Sequence, residues 1–114
     1  MSAARRWAVA LAALLGGACT TSAAPVWMAQ SLGTRQCEDG GRTPQALAQA
    51  LRDAGLSVQA LACGHDGRMR PAVCGAGDGR LALVQLPEDQ AARAQALGWV
   101  PLASLRDAQR QPCP

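Results

Sequence analysis

The chain contains no tyrosine, phenylalanine, lysine, isoleucine or asparagine, and a single histidine among 114 residues. Each gap removes something. Without Phe or Tyr, a core must be assembled from Leu, Val and Ala, with Trp27 and Trp99 as its large pieces, so each tryptophan carries unusual weight. With His65 alone, no multi-histidine metal set can be written, and Ser31, Ser57 and Ser104 have no motif that would pair one of them with a base. Charge is also scarce. Of the three net positive charges, two belong to Arg5 and Arg6, which leaves residues 24–114 close to +1. That balance gives no electrostatic footprint for DNA, RNA or anionic lipid. The arginine-only, Ala-, Gly- and Leu-rich composition is what a GC-rich bacterial coding sequence produces, and it carries no functional message.

The N-terminus does carry one. Arg5 and Arg6 precede an uncharged apolar run over residues 7–15, followed by the small residues Gly16, Gly17 and Ala18. This is the layout of a cleaved secretory signal, too short to span a bilayer stably. Two cuts are open. One falls after Ala23, with Thr21 and Ala23 as the small residues the peptidase needs. The other falls before Cys19, because Leu15-Gly16-Gly17-Ala18-Cys19 resembles a bacterial lipobox, a family in which the cysteine thiol is acylated. Gly16 stands where that family carries a larger aliphatic residue. The expected organisation is a signal over residues 1–23 (or 1–18 in a lipoprotein), then one small α+β domain over residues 24–114, in the periplasm, secreted or tethered to the outer membrane through Cys19.

Four cysteines remain: Cys37, Cys63, Cys74 and Cys113. In a short exported chain they read as two disulfides, with three connectivities open. None lies in a C-x-x-C pair, which removes the usual support for redox enzymes and zinc ribbons. The segment between the second and third is distinctive, with Cys63-Gly64-His65-Asp66-Gly67-Arg68 followed by Cys74-Gly75-Ala76-Gly77-Asp78-Gly79-Arg80. Asp-Gly favours tight turns. The expectation is a loop closed by Cys63–Cys74, with Cys37–Cys113 pinning the tail near the first helix.

Thr43 as N-cap and Pro44 at the first helical position predict a helix that buries Leu47, Ala50, Leu51 and Ala54 and stops at Gly55. A second is predicted from Pro87 to Leu97, with Glu88 and Asp89 in its first turn and Gly98 as its stop. Strands are expected over residues 26–32, 56–61, 80–86 and 99–102. In 80–86, Leu81 and Leu83 should face away from Ala82, Val84 and Leu86. Pro101 should place the last strand at an edge. The order is β-α-β-β-α-β, a ferredoxin-like split β-α-β arrangement. In that element order, residues 26–103 resemble the sporulation-related repeat fold, whose members bind peptidoglycan; the Arg-rich strand and Gly-Pro turn of that family are not present here.

Residues with a candidate role cluster between the two halves: His65, Arg68, Met69, Arg70 and Arg80. The favoured expectation is a noncatalytic envelope protein that binds a protein or cell-wall partner through this loop. It involves no cofactor, no nucleic acid, and no membrane contact beyond a lipid anchor. The alternative is copper handling by His65 with Met69 or Met28 as soft ligands. Gly75-Ala76-Gly77-Asp78-Gly79 has a phosphate-loop composition, but no helix follows to supply a dipole.

Overall fold

A computed structural model describes residues 24–114; the export segment and Cys19 lie outside them. The described residues form an α+β domain with two helices and one five-stranded antiparallel sheet. Its elements are β1 (Pro25–Ser31), α1 (Pro44–Asp53), β2 (Ala60–His65), β3 (Arg80–Pro87), α2 (Ala91–Ala96), β4 (Val100–Pro101) and β5 (Gln109–Gln111). The sheet order is β4-β1-β3-β2-β5.

β3 is the central strand. It pairs with β1 from Pro25↔Pro87 to Ser31↔Leu81, and with β2 from Ala60↔Gln85 to His65↔Arg80. Its side chains alternate as the sequence pattern requires. Ala82, Val84 and Leu86 enter a core with Met28, Leu47, Leu51, Ala94 and Trp99, beneath the two helices. Leu81 and Leu83 face the other way and join Ala29. That second face is covered too, because Leu102, Leu105 and Ala108 fold back across it beside Trp27 and Ala62. Arg110 of β5 stacks over the Trp27 ring at 4.2 Å, a cation–π contact at the margin of this layer.

α1 begins where the sequence places it. The Thr43 hydroxyl accepts the Ala46 N–H at 3.1 Å, and Pro44 opens the first turn. Its buried stripe is rotated from the expected one: Leu47, Ala48 and Leu51 are buried, while Ala50 and Ala54 are exposed. At the other end Arg93 of α2 donates to the Ala54 carbonyl at 2.7 Å, placing a cation at the negative end of the helix. α2 is shorter than predicted. Glu88–Gln90 form a tight 3₁₀ turn instead, which brings the Gln90 side-chain carbonyl within 2.7 Å of the Ser57 N–H.

β2 lies four residues beyond its predicted start. Leu56 is buried in the helix-side core and Val58 packs against it. The ladder proper begins at Ala60, where β3 lines one side, and β5 joins the other from Cys63 onward. β4 is a two-residue edge strand, as Pro101 implies,. β5 was not anticipated.

The disulfide expectation requires correction. The bridges are Cys37–Cys74 and Cys63–Cys113, with Cα separations of 5.1 and 4.9 Å, rather than Cys63–Cys74 and Cys37–Cys113. Cys63 sits inside β2 opposite Gln111, so Cys113, two residues further on, comes within reach. Cys74 instead lies beside the 34–37 segment, where Gly75 donates to the Gln36 carbonyl at 3.0 Å. The tail still arrives near the first helix, since Cys113 shares a cleft with Thr43 and Pro44. With sequence separations of 37 and 50, each bridge contributes about 4 kcal/mol by restricting the unfolded chain in the loop-entropy picture.

Peptide mapping of the oxidised protein under non-reducing conditions should recover Cys37–Cys74 and Cys63–Cys113; a Cys63–Cys74 peptide would overturn this connectivity. Leu51 is 1% exposed and Trp99 3% exposed. Leu51→Ala or Trp99→Ala should therefore each cost about 2–5 kcal/mol in chemical denaturation.

Candidate functional site

The connection between β2 and β3 is a loop with a fastened base and a free tip. Two Asp-Gly-Arg sequences build the base, and each forms the same local turn. Asp66 Oδ1 accepts the Arg68 N–H at 3.0 Å, and Asp78 Oδ1 accepts the Arg80 N–H at 3.1 Å. Such Asx turns hold the backbone without a ladder. The two turns then clasp one another. The Asp66 N–H donates to the Gly79 carbonyl at 2.9 Å. Gly67 N–H donates to His65 Nδ1 at 2.9 Å, which fixes the ring proton on Nε2, and Nε2 donates to the Asp78 carbonyl at 2.9 Å,. Gly79, at φ +78°, must remain glycine, because a Cβ there would lie 2.7 Å from Asp66 Oδ1 and 2.8 Å from His65 Nε2.

Arg70 completes the base. Its guanidinium grips the Asp66 carboxylate through both terminal nitrogens, Nη1 to Oδ1 at 2.7 Å and Nη2 to Oδ2 at 2.5 Å. The Asp66 side chain is only 15% exposed. The Arg70 contact, aided by the Arg68 N–H, holds the Asp66 carboxyl down at about 2 although burial pushes the other way,. The Arg70 guanidinium is in turn held above its usual value by Asp66.

The 34–37 segment braces the returning half of the loop. Arg35 bridges Gly77, Gln36 N–H donates to the Ala76 carbonyl at 2.9 Å, and the Thr34 hydroxyl donates to Asp78 Oδ1 at 2.6 Å. The Gln36 side chain reaches the Pro71 carbonyl at 3.1 Å. Cys37–Cys74 locks this brace covalently. Beyond it the tip projects. Met69 is fully exposed and Val73 is 54% exposed, with Pro71 and Ala72 exposed between them.

The sequence-predicted residues therefore separate. His65 and Arg70 are drawn into the base. Arg68 lends its backbone to Asp66, while its side chain lines a cleft with Leu105 and Asp107. Met69 stands in solvent. Arg80 opens β3 and lines a different cleft with Arg42, Pro44 and Cys113. The three arginines do not converge. Asp66, the hub of the base, was missed, although the repeated Asp-Gly-Arg in the sequence was the signal that could have found it.

The residues named for copper are likewise not assembled. Met28 is fully buried in the helix-side core, Met69 points away, and both His65 nitrogens are engaged. Among the described residues no group of three or more His, Cys, Asp or Glu gathers to hold a metal ion. The two disulfides fit an oxidising, extracytoplasmic compartment,. No described helix is long and apolar enough to cross a membrane. Compared with protein families, curated proteins and solved structures, the chain has no match, so a functional reading rests on its own residues.

The Asp66 geometry makes an acid-stability prediction. A carboxyl held at about 2, below its ordinary 3.8, adds stability that is complete above the unfolded value and fades as pH falls from 3.8 towards 2. Asp66→Asn should lower stability by about 1–2 kcal/mol near neutral pH. In melts run from pH 7 to pH 2, the gap between wild type and Asp66→Asn should narrow below about pH 4. A gap that stays constant across that range would show that Asp66 is not held by Arg70.

Proposed function

We propose that this chain is an exported, noncatalytic binding module of the bacterial cell envelope, and that the 68–73 tip is its contact surface for a protein or cell-wall partner. One observation carries the reading: an apolar side chain, Met69, stands fully in solvent on a loop whose base is braced by hydrogen bonds and a disulfide. A loop fixed before binding loses less conformational entropy when it binds, and rigid scaffolds commonly carry function on such loops. Arg68 supplies a charged group beside the apolar tip. Export by the 1–23 leader, with or without lipidation of Cys19, delivers the chain to the oxidising periplasm in which its disulfides persist. Within this reading the domain is a ferredoxin-like variant, supported by α1 lying between β1 and β2, α2 between β3 and β4, and the order β4-β1-β3-β2, with β5 as an added strand.

The decisive variants are Arg68→Ala and Met69→Ala, because neither side chain helps to hold the base. Each should leave the melting curve unchanged and weaken capture of a saturable partner from envelope extract by about tenfold. Undiminished capture by both would reject the tip as the contact surface. Arg70→Ala serves as a contrast, since it breaks the grip on Asp66 and should melt early.

A further inference from the structure

We infer that the Arg68–Met69 peptide bond is a processing site for an arginine-specific endopeptidase, and that cutting it yields a two-chain protein still joined by both disulfides. This goes beyond the binding reading and does not depend on it.

The bond is presented as such enzymes require. A protease needs an arginine side chain free to enter its specificity pocket and a backbone free to be drawn into an extended register. Among the described residues no hydrogen bond or ion pair holds the Arg68 guanidinium; the residue is fastened only by its backbone N–H on Asp66. On the far side of the bond Met69 is fully exposed, and residues 68–73 belong to no strand or helix. Opening there releases the Arg68 N–H and the Arg70 grip on Asp66 but breaks no strand ladder or helix, which is the condition for limited proteolysis.

The neighbouring arginines are protected. Arg70 is bound through both terminal nitrogens to Asp66, and Pro71 follows it, a residue that arginine-specific proteases disfavour after the cut. Arg42 is held on the Ser31 carbonyl at 2.7 Å, and Arg93 on Ala54. Arg52 lies in α1, Arg80 in β3 and Arg110 in β5, and Arg35 is held in register by its backbone bridge to Gly77, two residues from the Cys37–Cys74 disulfide. Arg106 is also exposed, but it sits in a tight turn closed by Ala108 N–H on the Leu105 carbonyl.

The disulfide pattern then decides what a cut does. Cys37 and Cys63 precede the bond; Cys74 and Cys113 follow it. Cys37–Cys74 and Cys63–Cys113 both cross it. Hydrolysis breaks the C–N bond, places the hydroxyl of water on the Arg68 carbonyl carbon and a proton on the Met69 nitrogen, and leaves a new carboxylate and a new amino terminus. No electrons change hands and no part is released. The pairing Cys63–Cys74 with Cys37–Cys113 would equally hold the halves, whereas Cys37–Cys63 with Cys74–Cys113 would let them fall apart.

The test is limited digestion of the oxidised full chain with trypsin, following cuts within residues 24–114. The expected first product has gained the mass of one water. It runs as one species without reductant and as two with it, and sequencing places a new terminus at Met69. Arg68→Gln should lose this cut, and Pro71→Ala should leave it in place. A first cut at Arg106 or any other arginine would overturn the proposal. So would separation of the halves without reductant, or a cut that persists in Arg68→Gln.

Discussion

The structure depends on one strand being buried on both faces. β3 runs through the middle of the sheet with Ala82, Val84 and Leu86 on the helix side and Leu81 and Leu83 on the other. A chain without Phe, Tyr or Ile has little apolar bulk to spend on a single layer. Burying small aliphatics completely on two sides offsets that, because the hydrophobic gain scales with apolar area removed from water. The helices close one side. The 102–108 segment closes the other, and β5 with Cys63–Cys113 fastens the chain that follows it. The C-terminal segment thus covers the second face of the sheet, with Leu105 and Ala108 half-buried against it, rather than trailing as a free tail.

The same economy governs the loop. It has almost nothing apolar to bury, so it is held by polar means: two Asx turns, an imidazole engaged at both nitrogens, a bidentate ion pair and a disulfide. Such bonds are individually modest, yet they share partners. Asp66 alone ties together Arg68, Arg70 and the strand-end carbonyl of Gly79. The result separates a fixed base from a projecting tip, which is a useful division for a surface that must meet something else.

Much of this was legible in the residues. Thr43-Pro44 marked the start of α1, and the alternation over residues 81–86 assigned both faces of β3 correctly. What failed did so for identifiable reasons. β5 is Gln109-Arg110-Gln111, exposed and polar, so it carries no apolar period, and its pairing is with the edge of β2. β2 was misplaced because Ala62 and Gly64 are small and look like loop, while Leu56 and Val58 mimic a strand on their way into the core. The disulfide pairing could not be read because four cysteines allow three connectivities, and strand register, invisible before β5 is known, selects among them. His65 and Arg70 were singled out for chemistry that draws the eye in sequence; in the fold their polar atoms are already used.

Native-state hydrogen exchange on the oxidised protein tests the division into rigid sheet, fastened base and free tip most directly. The account predicts that the amides of Leu83 and Val84 exchange only through global unfolding, that those of Asp66, Ala76 and Asp78 are protected to an intermediate degree, and that Met69 and Ala72 exchange almost without protection. If Met69 were as protected as Leu83, or if Asp66 and Asp78 exchanged as freely as Met69, the braced-base account would be contradicted.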